Sequence, residues 1–330
     1  MLEVEERPDP AVAPGEARIA VRASGINFAD LQARSGVYPD APSPPCVIGY
    51  EVAGEVEAVG EGVDSVSEGD RVIAATRFGG QAERVTVPAQ HVIPLPKKMS
   101  FEQGAAFPVN YGTAYAALVI MGGLREGDRV LIHSAGGGVG IAATQIAKSR
   151  GAEVFGTASA QKHDAIRAQG VDHAIDYRTL DFADEVSRIT GGEGVDVIID
   201  ALGPASFRKD YRVLRQGGRL IMFGLADVNT GDRRDIPAVL RNLARMPFAT
   251  LPWWKSLGVM KENKGVFGLN LLDWWDAEGG LDRVTEPLVE ALRKGEIEPV
   301  VAEAFAFDRA GDAHRFMQER RNIGKVVLTP

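Results

Sequence analysis

Short β-type runs alternate with turn signals over the first hundred residues of this chain of 330 residues. Glycine-containing turns separate the runs, and only residues 29–36 and 100–106 have a helical pattern there. Short strands punctuated in this way are typical of a small antiparallel barrel. The predicted strands are 18–23, 51–59, 70–74 and 81–87.

From residue 129 the rhythm changes to strand, helix, strand, helix. This alternation predicts crossover units and a parallel sheet covered by helices on both faces. The predicted strands are 129–133, 153–158, 173–176, 195–200, 219–224 and a sixth at 266–271. The predicted helices are 139–150, 161–169, 182–190, 206–214 and 236–245.

The C-terminal tail has a different pattern, with helices at 284–294 and 309–320 and strands at 304–307 and 325–328. These elements fit the first domain better than further strands of the parallel sheet. The predicted fold class is therefore α/β, a barrel domain joined to a doubly wound parallel sheet. The predicted domains are 1–108, 109–272, and 273–330 returning to the first domain.

One stretch has the length of a membrane span, because residues 104–124 carry no charge. Pro108 and the polar residues 110–113 interrupt it, so its apolar part is only 114–121. That length suits a helix buried in a protein core. The first ten residues are acidic and lack an apolar signal segment. We expect no membrane span and a cytoplasmic location.

The composition of the chain excludes several kinds of partner and site. Acidic residues outnumber basic ones by 45 to 37, which gives a net charge of -8. Such a surface repels phosphate backbones and anionic lipid, so nucleic acid is not expected as a partner. Cys46 is the single cysteine, and we expect it to be a small buried residue. A disulfide framework and a zinc site with several thiolates are both excluded.

The sharpest local motif is AGGGVG at 135–140, between a predicted strand and a predicted helix. This context is typical of a dinucleotide-binding loop. Gly137 lets the backbone approach a pyrophosphate, and Gly140 lets the helix lie close to the sheet. The helix N-terminus offers amide donors to the phosphates. The predicted loop contacts are Ala135, Gly137, Gly138, Val139 and Gly140.

The end of the second strand of this domain indicates which dinucleotide binds. NAD-binding chains usually place an acid there to hold the ribose hydroxyls. In this chain the strand is followed by Ser159, and no acid occurs before Asp164. Ser159 and Lys162 offer a hydroxyl and a cation to a ribose phosphate, and Tyr177 lies just beyond the third strand. These residues favour NADPH.

Six motifs occur in order along nearly the whole chain: GINFAD at 25–30, GYEVAGEV at 49–56, GEGV at 60–63, GDRV at 69–72, YGTAY at 111–115 and GKVVL at 324–328. Together they resemble the medium-chain dehydrogenase/reductase superfamily. The chain is most similar to the zinc-independent quinone reductases of the zeta-crystallin type, and among them to the vesicle amine transport protein homologues. The first residues match the second strand of that family, so the usual opening strand is expected to be absent.

The resemblance implies a GroES-like catalytic domain and a Rossmann cofactor domain. It places Asn27, Tyr50 and Asn110 where zinc alcohol dehydrogenases have metal ligands, and none of these is a good zinc ligand. We therefore expect no metal. The same resemblance puts Asn27, Tyr50, Asn110 and Tyr111 in the substrate cleft as catalytic candidates, with Glu51 bracing it. It adds Thr113, Phe223, Gly224, Asn322 and Lys325 to the expected cofactor contacts.

The resulting hypothesis is an NADPH-dependent reductase of quinones or of alkenes conjugated to a carbonyl. An alternative is an NADPH-binding interaction protein with little turnover. In that case the two pairs of adjacent tryptophans, at 253–254 and 274–275, would be its contacts with a partner. A third is an enoyl-thioester reductase, for which Arg233, Arg234 and Arg241 are candidate phosphate contacts. The resemblance also implies a homodimer through the edge strand 266–271.

Overall fold

The computed structural model describes residues 2–36, 38, 40–226, 256–275 and 282–330. The chain forms two compact units. The first contains Met1–Asn110 and Pro299–Pro330, and the second contains Tyr111–Glu298. The tail residues before Pro299 therefore belong to the second unit, whereas the sequence pattern predicts that all of 273–330 returns to the first domain. The predicted helix at 236–245, Trp253, Trp254, Arg233, Arg234 and Arg241 lie outside the described residues.

The first unit is built on a seven-stranded sheet. Its strands are β1 (Glu16–Ile26), β2 (Glu51–Val59), β3 (Arg71–Ala75), β4 (Arg84–Pro88), β5 (Val92–Pro94), β12 (Val301–Ala306) and β13 (Lys325–Thr329). Their order in the sheet is β12-β13-β1-β2-β3-β5, and β4 also pairs with β1. The pair β12 and β13 is parallel, and the other pairs are antiparallel.

The alternation of buried and partly exposed residues along the first half of β1 explains how this sheet buries one face. Ala17, Ile19 and Val21 of β1 are buried, while the residues between them are partly exposed. They pack against Val52 and Val72 of the neighbouring strands. Successive strand residues point to opposite faces, so this register places one apolar row in the core.

The second unit contains a six-stranded parallel sheet. Its strands are β6 (Arg129–Ile132), β7 (Glu153–Ala158), β8 (His173–Asp176), β9 (Val195–Asp200), β10 (Leu214–Met222) and β11 (Gly265–Gly268). Their order is β11-β10-β9-β6-β7-β8, so that β9 and β6 are neighbours although two strands separate them in sequence. That reversal is the switch point at which such sheets bind ligands.

The helices are mostly short, and those at 108–115, 256–262 and 271–275 were not predicted, while the others overlap the predicted positions. A 3-10 turn, Ala160–Lys162, replaces the start of the helix predicted at 161–169. The helices are α1 (Phe28–Arg34), α2 (Phe101–Ala105), α3 (Pro108–Tyr115), α4 (Gly138–Ser149), α5 (His163–Ala168), α6 (Phe182–Ile189), α7 (Phe207–Val213), α8 (Ser256–Glu262), α9 (Leu271–Trp275), α10 (Asp282–Lys294) and α11 (Ala310–Gln318).

The predicted fold class is confirmed by these two sheets. The sixth parallel strand is present but ends at Gly268, and Leu271, predicted as its last residue, begins α9. The uncharged stretch at 104–124 forms part of α2, then α3 and a π-helical segment, Ala116–Met121. Among the described helices, none combines the length and apolar character needed to cross a bilayer.

Candidate active site

A buried polar cluster in the first unit brings together residues from distant parts of the chain. Asn27 precedes α1, Glu51 begins β2, Asn110 lies in α3 and Lys325 begins β13. All four side chains are at least nine-tenths buried. Strand β1 pairs with both β2 and β13, which explains why Glu51 and Lys325 meet.

Glu51 is the centre of this cluster. Its Oε1 forms an ion pair with Lys325 and accepts a hydrogen bond of 2.8 Å from Asn27 Nδ2. Its Oε2 accepts a hydrogen bond of 2.8 Å from the Val109 amide. Lys325 Nζ also donates to Asn27 Oδ1 at 2.6 Å. The carboxylate and the ammonium therefore neutralise each other where both side chains are buried.

Asp30 lies beside this cluster and carries the second carboxyl group. Its Oδ2 accepts a hydrogen bond of 2.7 Å from the backbone N–H of Asn27, and this bond caps the N-terminus of α1. Burial raises the pKa of Asp30 to about 7, against the opposing effects of the Asn27 hydrogen bond and of Lys325. Near neutral pH this carboxyl group is partly protonated, which limits the negative charge of the region.

Tyr50 has a buried hydroxyl group with no hydrogen-bond partner among the described residues. Its ring packs against Phe78 and Tyr38, with centroids at 5.1 and 6.1 Å. Burial, followed by the nearby Asp30, raises the pKa of Tyr50 above its usual range. The phenol therefore keeps its proton and is an unused donor, and buried donors without partners are rare.

The other two catalytic candidates are engaged. Asn110 Nδ2 donates to the Ala106 carbonyl at 3.1 Å, and its Oδ1 lies 3.5 Å from Lys325 Nζ. Tyr111 belongs to the second unit, where its hydroxyl donates to Gln145 Oε1 at 2.7 Å. The structure thus brings Asn27 and Asn110 into one cluster with Lys325, and it gives the Tyr111 hydroxyl a protein acceptor.

The glycine loop of the second unit has the shape that a dinucleotide needs. It connects β6 to α4, and the N-cap of α4 is Gly137, which has no side chain to occupy the helix N-terminus. A Cβ on Gly140 would lie 2.3 Å from the Ser134 carbonyl oxygen. Gly138, Val139 and Gly140 form the first turn, whose amides have no intrahelical acceptors.

Ser159 and Lys162 lie together beyond the carboxyl end of β7. Ser159 precedes the 3-10 turn, and its carbonyl accepts a hydrogen bond of 2.9 Å from the Lys162 amide. Lys162 is nine-tenths buried, and a Cβ built on Gly136 would lie 3.0 Å from its Cδ. The lysine therefore lies against the glycine loop. Tyr177 follows β8 and is 41% exposed.

The remaining cofactor candidates divide between the two units. Phe223 and Gly224 follow β10, where the Phe223 amide donates to the Asp200 carbonyl at 2.9 Å. Thr113 is buried in α3 of the same unit. Asn322 and Lys325 belong to the first unit, and Asn322 Nδ2 donates to the Gly324 carbonyl at 2.9 Å.

A second buried polar cluster, of His133, Asp200 and Asp210, was not predicted. These residues follow β6, end β9 and lie in α7, close to the switch point of the sheet. His133 Nε2 lies 2.8 Å from Asp210 Oδ1, and burial beside Asp210 raises the pKa of Asp200 to about 7. Their ligand atoms lie within 4.8 Å of one another. Because the 2.8 Å separation is a hydrogen-bond distance, we interpret the cluster as a proton-sharing network.

Comparison with known proteins shows the family to which the chain belongs. The zinc-binding dehydrogenase profile matches residues 169–328, and the alcohol dehydrogenase GroES-like domain profile matches residues 13–97. The rat synaptic vesicle membrane protein VAT-1 homolog is 40% identical over 338 residues, which cover 100% of this chain and 81% of that protein.

Two solved structures extend the comparison. Escherichia coli quinone oxidoreductase complexed with NADPH matches with a TM-score of 0.83 and 30% identity, covering 99% of this chain and 95% of that one. The CurK enoyl reductase matches with a TM-score of 0.82 and 30% identity, covering 99% of this chain and 94% of that one. The chain therefore belongs to the medium-chain dehydrogenase/reductase family, in the quinone-oxidoreductase type close to the VAT-1 homologues.

Zinc, which the name of the first profile implies, does not fit the residues at the family's metal positions. Asn27 and Asn110 offer amide groups, and Tyr50 offers a protonated phenol. Zinc sites in proteins use thiolate, imidazole or carboxylate ligands. A dinucleotide does fit, because the uncapped N-terminus of α4 and the close approach at Gly140 form a cradle for phosphate.

Proposed function

We propose that this protein is an NADPH-dependent reductase that transfers hydride to quinones or α,β-unsaturated carbonyl compounds without zinc. The observation that carries the proposal is the Tyr50 hydroxyl, which is buried, protonated and without a partner in the described part of the chain. Such a group suits the oxygen on which negative charge develops during reduction.

NADPH, when bound, supplies the hydride. The chain's own contribution is to hold the phosphates and to orient the carbonyl oxygen. The first-turn amides of α4 face the pyrophosphate in this proposal, and Ser159 and Lys162 bind the ribose phosphate. The similarity to a quinone oxidoreductase that is solved with NADPH supports this choice of cofactor.

The chemistry of the donors favours conjugated acceptors over simple alcohols. A quinone or enone is electron-poor and needs only hydrogen bonds to its oxygen as hydride arrives. An alcohol must also lose a proton, and zinc normally stabilises the resulting alkoxide. Asn27 and Tyr50 donate hydrogen bonds but neither is a base near neutral pH, so alcohol oxidation is expected to be slow or absent.

The test is NADPH consumption, followed at 340 nm, with a panel of quinones and enones. Alcohol oxidation is tested in parallel, with ethanol and longer alcohols as substrates and NADP⁺ as the oxidant. We expect measurable quinone or enone reduction, no more than trace alcohol oxidation and the same rates after treatment with EDTA. Rapid alcohol oxidation that EDTA abolishes would contradict the proposal.

Two substitutions assign the donors. Tyr50→Phe and Asn27→Ala should each lower kcat by about a hundredfold, because one oxyanion donor contributes roughly 3 kcal/mol. The Kd for NADPH should stay within a factor of two to three, since both residues bind substrate in this proposal. Tyr211→Phe, a half-buried tyrosine beside Lys264 in the second unit, is the matched control. Full activity in both site variants would place the donor elsewhere.

The second candidate is an NADPH-binding interaction protein with little turnover. The 40% identity to a protein named as a vesicle membrane protein favours it. NADPH binding without consumption of NADPH by any quinone or enone of the panel would select this alternative. A cytoplasmic location remains part of the proposal.

A further inference from the structure

Lys325 is an ammonium group enclosed by the first unit. Its side chain is 2% exposed, and that of Glu51, its ion-pair partner, is 0% exposed. A buried lysine is costly unless every donor finds a partner. Lys325 meets this condition through Glu51, through Asn27 Oδ1 at 2.6 Å and through Asn110 Oδ1 at 3.5 Å.

Gly25 provides the space for this ion pair. A Cβ built there would lie 2.6 Å from Lys325 Cε and 2.8 Å from Glu51 Oε1, both too close for any real Cβ. The Ala105 carbonyl oxygen would be closer still, at 2.3 Å. The glycine of the GINFAD motif is therefore needed so that the carboxylate and the ammonium can meet beneath Asn27.

The pair fixes the orientation of the Asn27 amide. An ammonium only donates hydrogen bonds and an ionised carboxylate only accepts them. The amide oxygen must therefore face Lys325, and the amide nitrogen must face Glu51. One of the two Nδ2 hydrogens is used by Glu51, and no acceptor for the other is found in the described part of the structure.

The same geometry strengthens that remaining donor. A cation at 2.6 Å from the carbonyl oxygen polarises the amide, and hydrogen bonds in a chain reinforce one another. Without this contact the amide oxygen would lose its cationic donor, and the Nδ2 group would donate more weakly.

We propose that Lys325, paired with Glu51, is a positioning residue that orients and polarises the Asn27 amide toward the carbonyl oxygen of the substrate. This inference rests on the proposed reduction of quinones or enones. Lys325 was expected to contact the cofactor, and the inference gives it a role at the substrate oxygen instead. The effects of Lys325 and Asn27 on the reaction are then coupled.

The experiment is a double-mutant cycle between Lys325→Met and Asn27→Ala. Lys325→Met should lower kcat for quinone reduction by about tenfold to a hundredfold, less than the loss of a whole oxyanion donor. In the Asn27→Ala background the same substitution should change kcat by less than about threefold, because coupled residues are non-additive. The Kd for NADPH should not change.

A contact with the cofactor predicts the opposite pattern. Lys325→Met would then raise the Kd for NADPH about tenfold or more, as loss of a charge-assisted hydrogen bond does. Its effect would add fully to that of Asn27→Ala. Either result overturns the proposal. Lys148→Met is the matched control, since Lys148 forms a half-exposed ion pair with Asp172 at 2.9 Å outside the site.

Two further measurements keep the test decisive. Lys325→Met leaves the Glu51 carboxylate without its cation, so Glu51→Gln with Lys325→Met is made as well and both are checked by circular dichroism. Binding of 4-nitrophenolate to the protein with NADP⁺, read from its absorbance shift, replaces turnover as a probe of the oxyanion position. It should weaken non-additively in the same cycle.

This second readout separates the two proposals. Wild-type protein that reduces no quinone or enone but binds the phenolate, with non-additive loss in the two variants, would refute the proposed function and support the positioning role. Quinone reduction with fully additive variants would support the function and refute the role of Lys325. Wild-type protein with neither property would refute both.

Discussion

At the scale of single residues, the most unusual side chain outside the site is His314 in α11. It is fully buried, and both ring nitrogens lack hydrogen-bond partners among the described residues. Burial, with a smaller effect of Arg34, lowers the pKa of His314 from 6.5 to about 3. The folded protein therefore holds a neutral imidazole whose polar atoms have lost their solvation.

His314 makes the stability of the fold fall in acid. Below its ordinary pKa the unfolded chain binds a proton that the folded chain refuses, so the free energy of unfolding decreases as pH falls from 6.5 toward 3. We expect His314→Met to raise the free energy of unfolding by about 1–3 kcal/mol at pH 7, with a larger gain at pH 5. Urea unfolding at both pH values measures this difference.

The control for that prediction is His91→Met, at a partly exposed histidine in a 3-10 turn of the same unit. This substitution should leave the difference between the two pH values unchanged. Equal stability of His314→Met and wild type at both pH values would show that the ring is solvated in the folded protein.

Cofactor choice is also decided by single residues. Lys162 lies against the glycine loop beside Ser159, and no acid follows β7 before Asp164. We expect Lys162→Ala to raise the Kd for NADPH about tenfold to a hundredfold, because a charge-assisted hydrogen bond contributes roughly 1.5–3 kcal/mol. The Kd for NADH should stay nearly constant. Fluorescence titration of both nucleotides gives the ratio, and an unchanged ratio would refute the assignment.

At the scale of elements, the junction of β6 and α4 depends on the absence of a side chain at Gly140. A Cβ there would lie 2.3 Å from the Ser134 carbonyl oxygen and 2.7 Å from Ala135 Cα, and both atoms belong to the backbone. We expect Gly140→Ala to lower the free energy of unfolding by about 1–3 kcal/mol and to weaken NADPH binding. Thermal unfolding and nucleotide titration measure the two effects.

The matched substitution is Gly311→Ala in α11, where an added Cβ meets nothing within 4 Å. Alanine in a helix is favoured over glycine, so this change should stabilise the fold by about 0.5–1 kcal/mol. Nucleotide binding should not change. Similar losses in both variants would mean that the tight fit at Gly140 has no special role.

Most elements could be predicted from the sequence because turns separate them clearly. Strands β2, β7, β8 and β9 begin and end at the predicted residues. Strand β5 was missed because three residues are too few to show an alternating hydrophobic pattern. Its extended conformation depends on its pairing with β3. A buried helix was predicted at 114–121, but the π-helical form of 116–121 was not, because its residues are all apolar and periodicity does not separate helix types in such a run.

The candidate site could be predicted less completely. Motif resemblance indicated Asn27 and Tyr50, since those residues occupy recognisable positions. The contact of Lys325 with Glu51 depends on both strands pairing with β1, and no local pattern carries that information. The cluster of His133, Asp200 and Asp210 was missed for the same reason, although His133 and Asp200 each lie at the carboxyl end of a parallel strand.

At the scale of the whole molecule, strand β11 is the edge of the parallel sheet in the described structure. Among the described strands only β10 pairs with it, in parallel register from Gly265 to Gly268. Val266 and Phe267 are 38% and 41% exposed, which is unusual for large apolar side chains. An exposed apolar edge strand invites pairing with another chain.

We expect a homodimer in which two copies of β11 pair at their edges. The mass in solution should be twice the 35.3 kDa of one chain. Phe267→Lys should convert the protein to monomers at micromolar concentration, because a charge on the edge opposes its symmetric copy and apolar burial is lost. Met260→Lys, a change at a 73% exposed apolar residue in α8, is the control and should remain dimeric. Light scattering measures both, and a wild-type mass of one chain would rule out this pairing.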